Sequence, residues 1–412
     1  MYGEATRAGR ICDHEGMAIE ANTSNVGDSA REWDVIVLGL GAMGSAALLT
    51  LARRGARVLG IEQFTLAHAH GSSHGGSRIV RTAYFEHPDY VPLLRRATAG
   101  WRELELASRT RLVHNCGVLY GGLAGSEVIA GVKESARVHG IALESLAAQH
   151  VAQRFPVFLG QSEPIEEFLF EPGAGFIRPE RAILAMTQVA QRLGAHVRER
   201  TRVQRWEESH DSVIVHAGES VERTKQLIIC AGPWSPEVAP QLRAPMVNTR
   251  QVIGWVTPRA PECADAHMMP AFFMERVGGD PLYGIPMSSD QAMPRGVKIG
   301  VHGRGQVCTP ENIDRVVREA ERVELEGLMQ RIAPGAAGAI TQSAVCIYTN
   351  TPDDHFVIDR LPEFKRVTVA GGFCGHGFKF APVVGELLAD LALDGASALP
   401  AGFLRGNRFD RA

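Results

Sequence analysis

The chain has 412 residues, 22% of them charged, with a formal net charge of -3 at pH 7, a length that suggests two domains. That balance gives no basic field to neutralise a phosphate backbone, which excludes nucleic acid as a partner. The seven cysteines (12, 116, 230, 263, 308, 346 and 374) are scattered, with no CxxC or Cys/His cluster at ligand spacing. They exclude a disulfide framework and a structural metal and point to a reducing, cytoplasmic setting.

Residues 1–30 are polar, carry Asp13, Glu15, Glu20 and Asp28, and lack an apolar h-region. They read as a loose leader and not as a signal peptide, with Met17 a candidate start. Residues 35–52 carry no charge over a span that reaches the lower limit for a membrane helix. Glycines at 39, 41 and 44 divide that span into a strand, a tight turn and a helix, so no membrane association is expected. The resulting unit runs from a buried strand over Asp34 to Leu38, through a helix ending near Gly55, to a second strand over Arg57 to Glu62. GxGxxG falls on Gly39, Gly41 and Gly44, and Glu62 closes the second strand. This pattern predicts dinucleotide binding: a tight turn, close approach to a pyrophosphate, helix packing, and an acid for a ribose hydroxyl. A plain α/β turn has the same spacing, and the flanking strand, helix and acid weigh against it.

After Glu62 the chain enters HAHGSSHGGSRIVRTAYFEH and not another βαβ repeat, an order that suits a flavoprotein better than a nicotinamide dehydrogenase. Helices are expected near Pro88 to Leu106 and Arg181 to Leu193, and strands near Ala195 to Trp206 and Val213 to Val215. A further strand runs into Ala231 to Trp234. Between about 245 and 344, short β-like runs predict an antiparallel sheet, followed by a charged helix near 311–331. The chain ends in a strand, a glycine turn and a helix over Ala381 to Leu393, with Pro382 in its first turn. A helix start after such a turn offers free N–H groups and a positive dipole end to an anion.

Single residues stay ambiguous when read alone. Cys346, in AVCIYTNTPDDHFVID, has no thiol nearby and fits a buried structural cysteine. Lys298, in VKIGVH, fits a solvated strand face, and Arg81 fits a surface ion pair. His302 alternates onto the Lys298 face. Lys379 stands in a glycine- and phenylalanine-rich turn, where an unpaired buried cation is costly, so a ligand carboxylate or a protein acid should neutralise it.

Four segments change the balance. GSSHGGSRIVR, KIGVH, AVCIYTNTPDDHFVID and GGFCGHGFKF occur in order between Trp33 and the last helix. Together they resemble the monomeric sarcosine oxidase and N-methyltryptophan oxidase family of flavoproteins. The resemblance implies an α/β plus α+β architecture of the D-amino acid oxidase type. A Rossmann-like FAD-binding domain (31–90, 174–235 and 345–400) would join a mixed or antiparallel substrate domain (91–173 and 236–344), with a tail over 401–412. It implies FAD bonded through its 8α carbon to Cys346, with Gly375, His376 and Gly377 also at the cofactor. Arg81 and Lys379 match the cations that grip a substrate carboxylate, and His302 and Tyr283 match residues bordering the substrate. His74 and Arg78 match a pair on the flavin's other side, and Lys298 matches the lysine that bonds through water to flavin N5 and promotes reaction with oxygen.

The implied reaction is oxidation of an N-methyl C–N bond in a small secondary amino acid, giving the primary amino acid, formaldehyde and hydrogen peroxide. A monomer acting on a small amine and oxygen is implied. A bulkier or cyclic amine, such as N-methyltryptophan, pipecolate or an Amadori product, and an acceptor other than oxygen remain alternatives. Nearby cations disfavour a protonated amine, so activity should rise with pH. Gly76 and Ser77 stand where the family commonly has an acid and a threonine, Cys374 where it often has a serine-like residue, and Ile285 where it has a pocket aromatic. These departures bear on the substrate's side chain.

Overall fold

The computed structural model describes residues 32–240, 246–290 and 294–411, so the expected leader lies outside the described residues. Strand Trp33–Leu38 runs parallel to Val58–Ile61 on one side and to Ser220–Ile229 on the other. Val35, Ile36 and Val37 are fully buried because both faces of this sheet are covered. Helix Ala42–Arg53 packs on one face together with Pro179–Arg192 and Ala381–Leu393. On the other face, Leu227 and Ile229 join Val213, Val215 and Val369 in a second apolar layer. The sheet has eight strands, including Val357–Arg360 and Val367–Gly371 from the end of the chain.

A nine-stranded sheet forms the other half. Its pairings are antiparallel except that Ala271–Arg276 lies parallel to Val118–Gly122. Its longest strand, Ile340–Asn350, pairs along Val247–Val256 with Gln251 opposite Cys346. The expected boundary at residue 345 therefore falls inside this strand. Three short strands, Arg78–Val80, Val113–His114 and Gly175–Ile177, make a third small sheet that holds the RIVR segment.

The charged helix expected from 311 begins only at Glu319 and ends at Ile332. Before it, Asn312 accepts from the Thr309 amide at 2.6 Å and Asp314 from the Val316 amide at 2.9 Å. Such local side-chain bonds compete with helix formation and hold a loop there. The region expected as strand over 195–206 splits into His196–Arg198 and Val203–Glu208. No described helix is long and apolar enough to cross a membrane.

Candidate active site

The turn after the first strand builds one end of a cavity of about 610 Å³. Gly39 adopts φ +84°, and a Cβ there would lie 2.4 Å from the Cys230 carbonyl oxygen. A Cβ at Gly44 would overlap the Gly39 carbonyl oxygen, so the helix closes onto the turn only because no side chain intervenes. Gly41 precedes the helix and lines the cavity. Glu62 accepts from the amides of Leu40 (2.9 Å) and Phe64 (3.0 Å) and lies 3.4 Å from His68 Nε2. Burial opposes its charge, but His68 and the two amides overcome burial and hold the carboxyl below its ordinary value.

The same cavity continues past Ser72, Ser73 and Arg78 to Gly375, Gly377 and Phe378. A smaller cavity of about 70 Å³ adjoins it, and the two share Arg78, Tyr348, Gly375 and Phe378. Cys346, 2% exposed, lines the smaller cavity at this common wall. Its Sγ lies 3.7 Å from Arg78 Nη2, so a guanidinium faces the thiol. Arg78 donates to the carbonyls of Ser77 and Ser72, both at 2.8 Å. Lys298 is 1% exposed, and its Nζ donates to the same Ser77 carbonyl at 2.7 Å. Burial, and then Arg78, push its ammonium well below the ordinary range. His74 is buried with Nε2 unpartnered; burial, Arg78 and Lys298 bring its pKa down to about 3, which makes it neutral.

In the smaller cavity Arg81 does not stand free. Its Nη2 contacts both oxygens of Glu86, at 2.6 and 2.7 Å, and its guanidinium lies over the rings of Tyr84 (4.3 Å) and Phe85 (4.4 Å). Burial raises the Glu86 pKa, but Arg81, His376 and Lys379 outweigh it and bring it down to about 2. Lys379 is buried, donates to the His376 carbonyl at 2.5 Å, and has no carboxylate within ion-pair distance among the described residues. Burial first and Arg81 second lower its pKa to about 7.

His376 shares this wall. Its Nε2 lies 3.1 Å from the Asp354 carbonyl, which can only accept, so Nε2 carries the proton and Nδ1 accepts from Tyr84 Oη at 2.5 Å. Burial keeps His376 (pKa about 3) and His302 (about 4) neutral. His302 and Tyr283 line the smaller cavity with Phe273, Ile253 and Ile285. Three cationic side chains, Arg78, Arg81 and Lys379, against the one carboxylate of Glu86 leave this small space positive.

The sequence-derived residues thus fall into two groups that meet at the wall between the cavities. Gly39, Gly41, Glu62 and Gly377 line the large cavity, with Gly44 packed beneath the turn. Arg81, Lys379, Tyr283, His302, His376 and Cys346 line the small one. Lys298 and His74 sit behind Arg78. Sequence reading missed Glu86, Tyr348 and Phe273. Tyr348 alternates with Cys346 on one strand and was findable by its period of two; Glu86 had only its nearness to Arg81.

A cavity of this size, a glycine cradle and a ribose-type acid fit a flavin dinucleotide. Residues 34–391 match the DAO family of FAD dependent oxidoreductases. The chain is 42% identical over 380 residues to the monomeric sarcosine oxidase of Streptomyces avermitilis, covering 91% of this chain and 97% of that one. It is 36% identical over 372 residues to the monomeric sarcosine oxidase of Bacillus sp. strain NS-129, with 89% and 94% covered. Identity to the N-methyl-L-tryptophan oxidase of Escherichia coli O81 is 34% over 383 residues, covering 92% and 100%. Among solved structures, NikD, an amino acid oxidase essential for nikkomycin biosynthesis, matches with TM-score 0.79 at 22% identity, over 91% and 97% of the two chains. Glycine oxidase from Geobacillus kaustophilus matches with TM-score 0.76 at 19% identity, over 92% and 99%. These two likenesses establish the fold.

The chain belongs to the family of FAD dependent oxidoreductases. Within it, the chain groups with the monomeric sarcosine oxidases and N-methyl-L-tryptophan oxidases.

Proposed function

We propose that this protein oxidises the N-methyl C–N bond of a small secondary amino acid of the sarcosine type, and that Cys346 bonds its FAD covalently through the 8α carbon. The observation that carries the reading is the small cavity with an excess cation, sharing a wall with the cavity that fits the cofactor. Bound FAD would supply the two-electron acceptor for the amine, with oxygen as the final acceptor and hydrogen peroxide as product. The resulting imine takes up water and yields the primary amino acid and formaldehyde.

Lys379, with no carboxylate within ion-pair distance among the described residues, is open to the substrate carboxylate. Arg81 joins it when the substrate displaces Glu86, giving two charge-assisted contacts that fix the α-carbon. Tyr283, Tyr348, Phe273 and Ile285 wall the site and leave about 70 Å³, which favours a small substrate over a bulky one. The same cations disfavour a protonated amine, so the neutral form, which alone yields its electrons, is selected and turnover rises with pH. Lys298, buried beside Arg78, is held against its charge; negative charge developing on oxygen nearby relieves that cost, which is stabilisation specific to that step.

The reading is tested with a panel of sarcosine, N-methyltryptophan and pipecolate, following hydrogen peroxide. Highest kcat/KM on sarcosine is expected, and activity on the bulky amines with none on sarcosine overturns it. Precipitation in acid tests the tether. Flavin should remain in the pellet of the native protein and move to the supernatant in Cys346→Ala, and flavin in the native supernatant rejects covalent attachment.

A further inference from the structure

The turn that carries His74, Ser77 and Arg78 contains two successive glycines in the left-handed region, Gly75 at φ +94° and Gly76 at φ +75°. A Cβ on Gly76 would meet nothing within 4 Å. Glycine is needed there for its backbone angle, and neighbours do not hold the turn by packing against it. Both backbone groups of Gly76 are instead gripped by residues flanking Pro179. The Gly76 amide donates to Glu180 Oε1 at 3.0 Å, and Arg178 Nη1 donates to the Gly76 carbonyl at 3.0 Å.

Pro179 occupies the first position of helix Pro179–Arg192, where its fixed φ sets Arg178 and Glu180 on either side of the helix start. Arg178 is 5% exposed and anchored in turn on Asp290 at 3.0 Å, which also accepts from Arg181 at 2.8 Å. On the other side of the turn, the next carbonyl, Ser77 O, receives both Lys298 Nζ (2.7 Å) and Arg78 Nη1 (2.8 Å). Two donors use both lone pairs of that oxygen, so its position sets where both cations point. Moving the peptide at Gly76 moves Ser77 O with it.

We propose that Glu180 and Arg178 act as a clamp on Gly76, positioning residues that fix the Ser77 carbonyl and through it Lys298 and Arg78. The clamp works through the hydrogen bond to the Gly76 amide. Its effect on the oxygen step rests on the role given above to Lys298, whereas its effect on the turn does not.

The experiment uses the holoenzyme and compares Glu180→Ala, Glu180→Gln and Lys298→Met with the native protein. Two readouts are taken: amide hydrogen exchange over residues 72–80, and stopped-flow rates of flavin reduction by amine and of reoxidation by oxygen. In Glu180→Ala, exchange at Gly76 and Ser77 should accelerate and reoxidation should slow about tenfold, while reduction changes by less than about twofold. A general loss of structure would move both half-reactions together. Glu180→Gln keeps an oxygen acceptor and should restore both readouts toward the native values. Unchanged exchange in Glu180→Ala overturns the clamp, and so does a Glu180→Gln variant as impaired as Glu180→Ala, which would make the charge and not the hydrogen bond responsible. Should Lys298→Met reoxidise like the native protein, the role of Lys298 fails, and the clamp is then decided by hydrogen exchange alone.

Discussion

Two groups of buried cations flank the wall between the cavities, and they are neutralised in different ways. Arg81 is matched by Glu86, a side chain that can turn away, so an incoming carboxylate can take its place. Lys298 and Arg78 are matched by carbonyl oxygens of Ser77 and Ser72, which are part of the backbone and cannot leave. The first site has an exchangeable anion; the second is a pair of donors fixed on the backbone. On the proposed function, the exchangeable partner of Arg81 suits binding of a substrate carboxylate, and the fixed partners of Lys298 suit stabilisation of charge that develops during turnover.

The largest expected effect falls on the backbone-held pair. Lys298→Met should slow reoxidation by oxygen about 10²–10³-fold, the range for removing one preorganised electrostatic group, with amine reduction little changed. Equal slowing of both half-reactions would erase the contrast between the sites. At the exchangeable site, Lys379→Met removes the cation that has no carboxylate within ion-pair distance among the described residues. It should weaken binding of an amine-free carboxylate by about 1.5–3 kcal/mol, read as a shift in the flavin spectrum on titration.

Glu86→Gln acts in the opposite direction. It removes the internal competitor for Arg81 and should tighten the same carboxylate about tenfold, since the displaced charge-assisted pair no longer opposes binding. Weaker binding would mean that Glu86 supports the site and does not compete for it. The smallest effect is a pH slope. Lys379 loses its proton near pH 7 in the free protein, and only the charged form attracts a carboxylate. Affinity should therefore fall as pH rises above that point, by at most about tenfold per unit, and Lys379→Met should flatten the slope.

The cofactor half was legible because its signals are local: a strand, three glycines at fixed spacing and an acid within one βαβ unit. Lys298, Arg81 and Lys379 were ambiguous from their own surroundings and became readable only through the four ordered segments. Glu86 lies five residues from Arg81, yet in an irregular loop that no helical or strand period describes, so nothing in the sequence paired them. Glu180 stood just before the helix expected from Arg181, and its bond to Gly76 spans 104 positions, so nothing local pointed to it. The late start of helix Glu319–Ile332 shows the opposite limit, local Asn312 and Asp314 bonds overriding a favourable composition.

Cys346 stands on a strand of the nine-stranded sheet, whereas the glycine turn at Gly39 belongs to the eight-stranded one. A cofactor bonded at the former and cradled at the latter would rivet the two sheets together, much as a disulfide closes a long loop. Loading would then double as a maturation step that locks the tertiary arrangement, and the apoprotein would melt at a lower temperature than the holoprotein by more than reversible ligand binding provides.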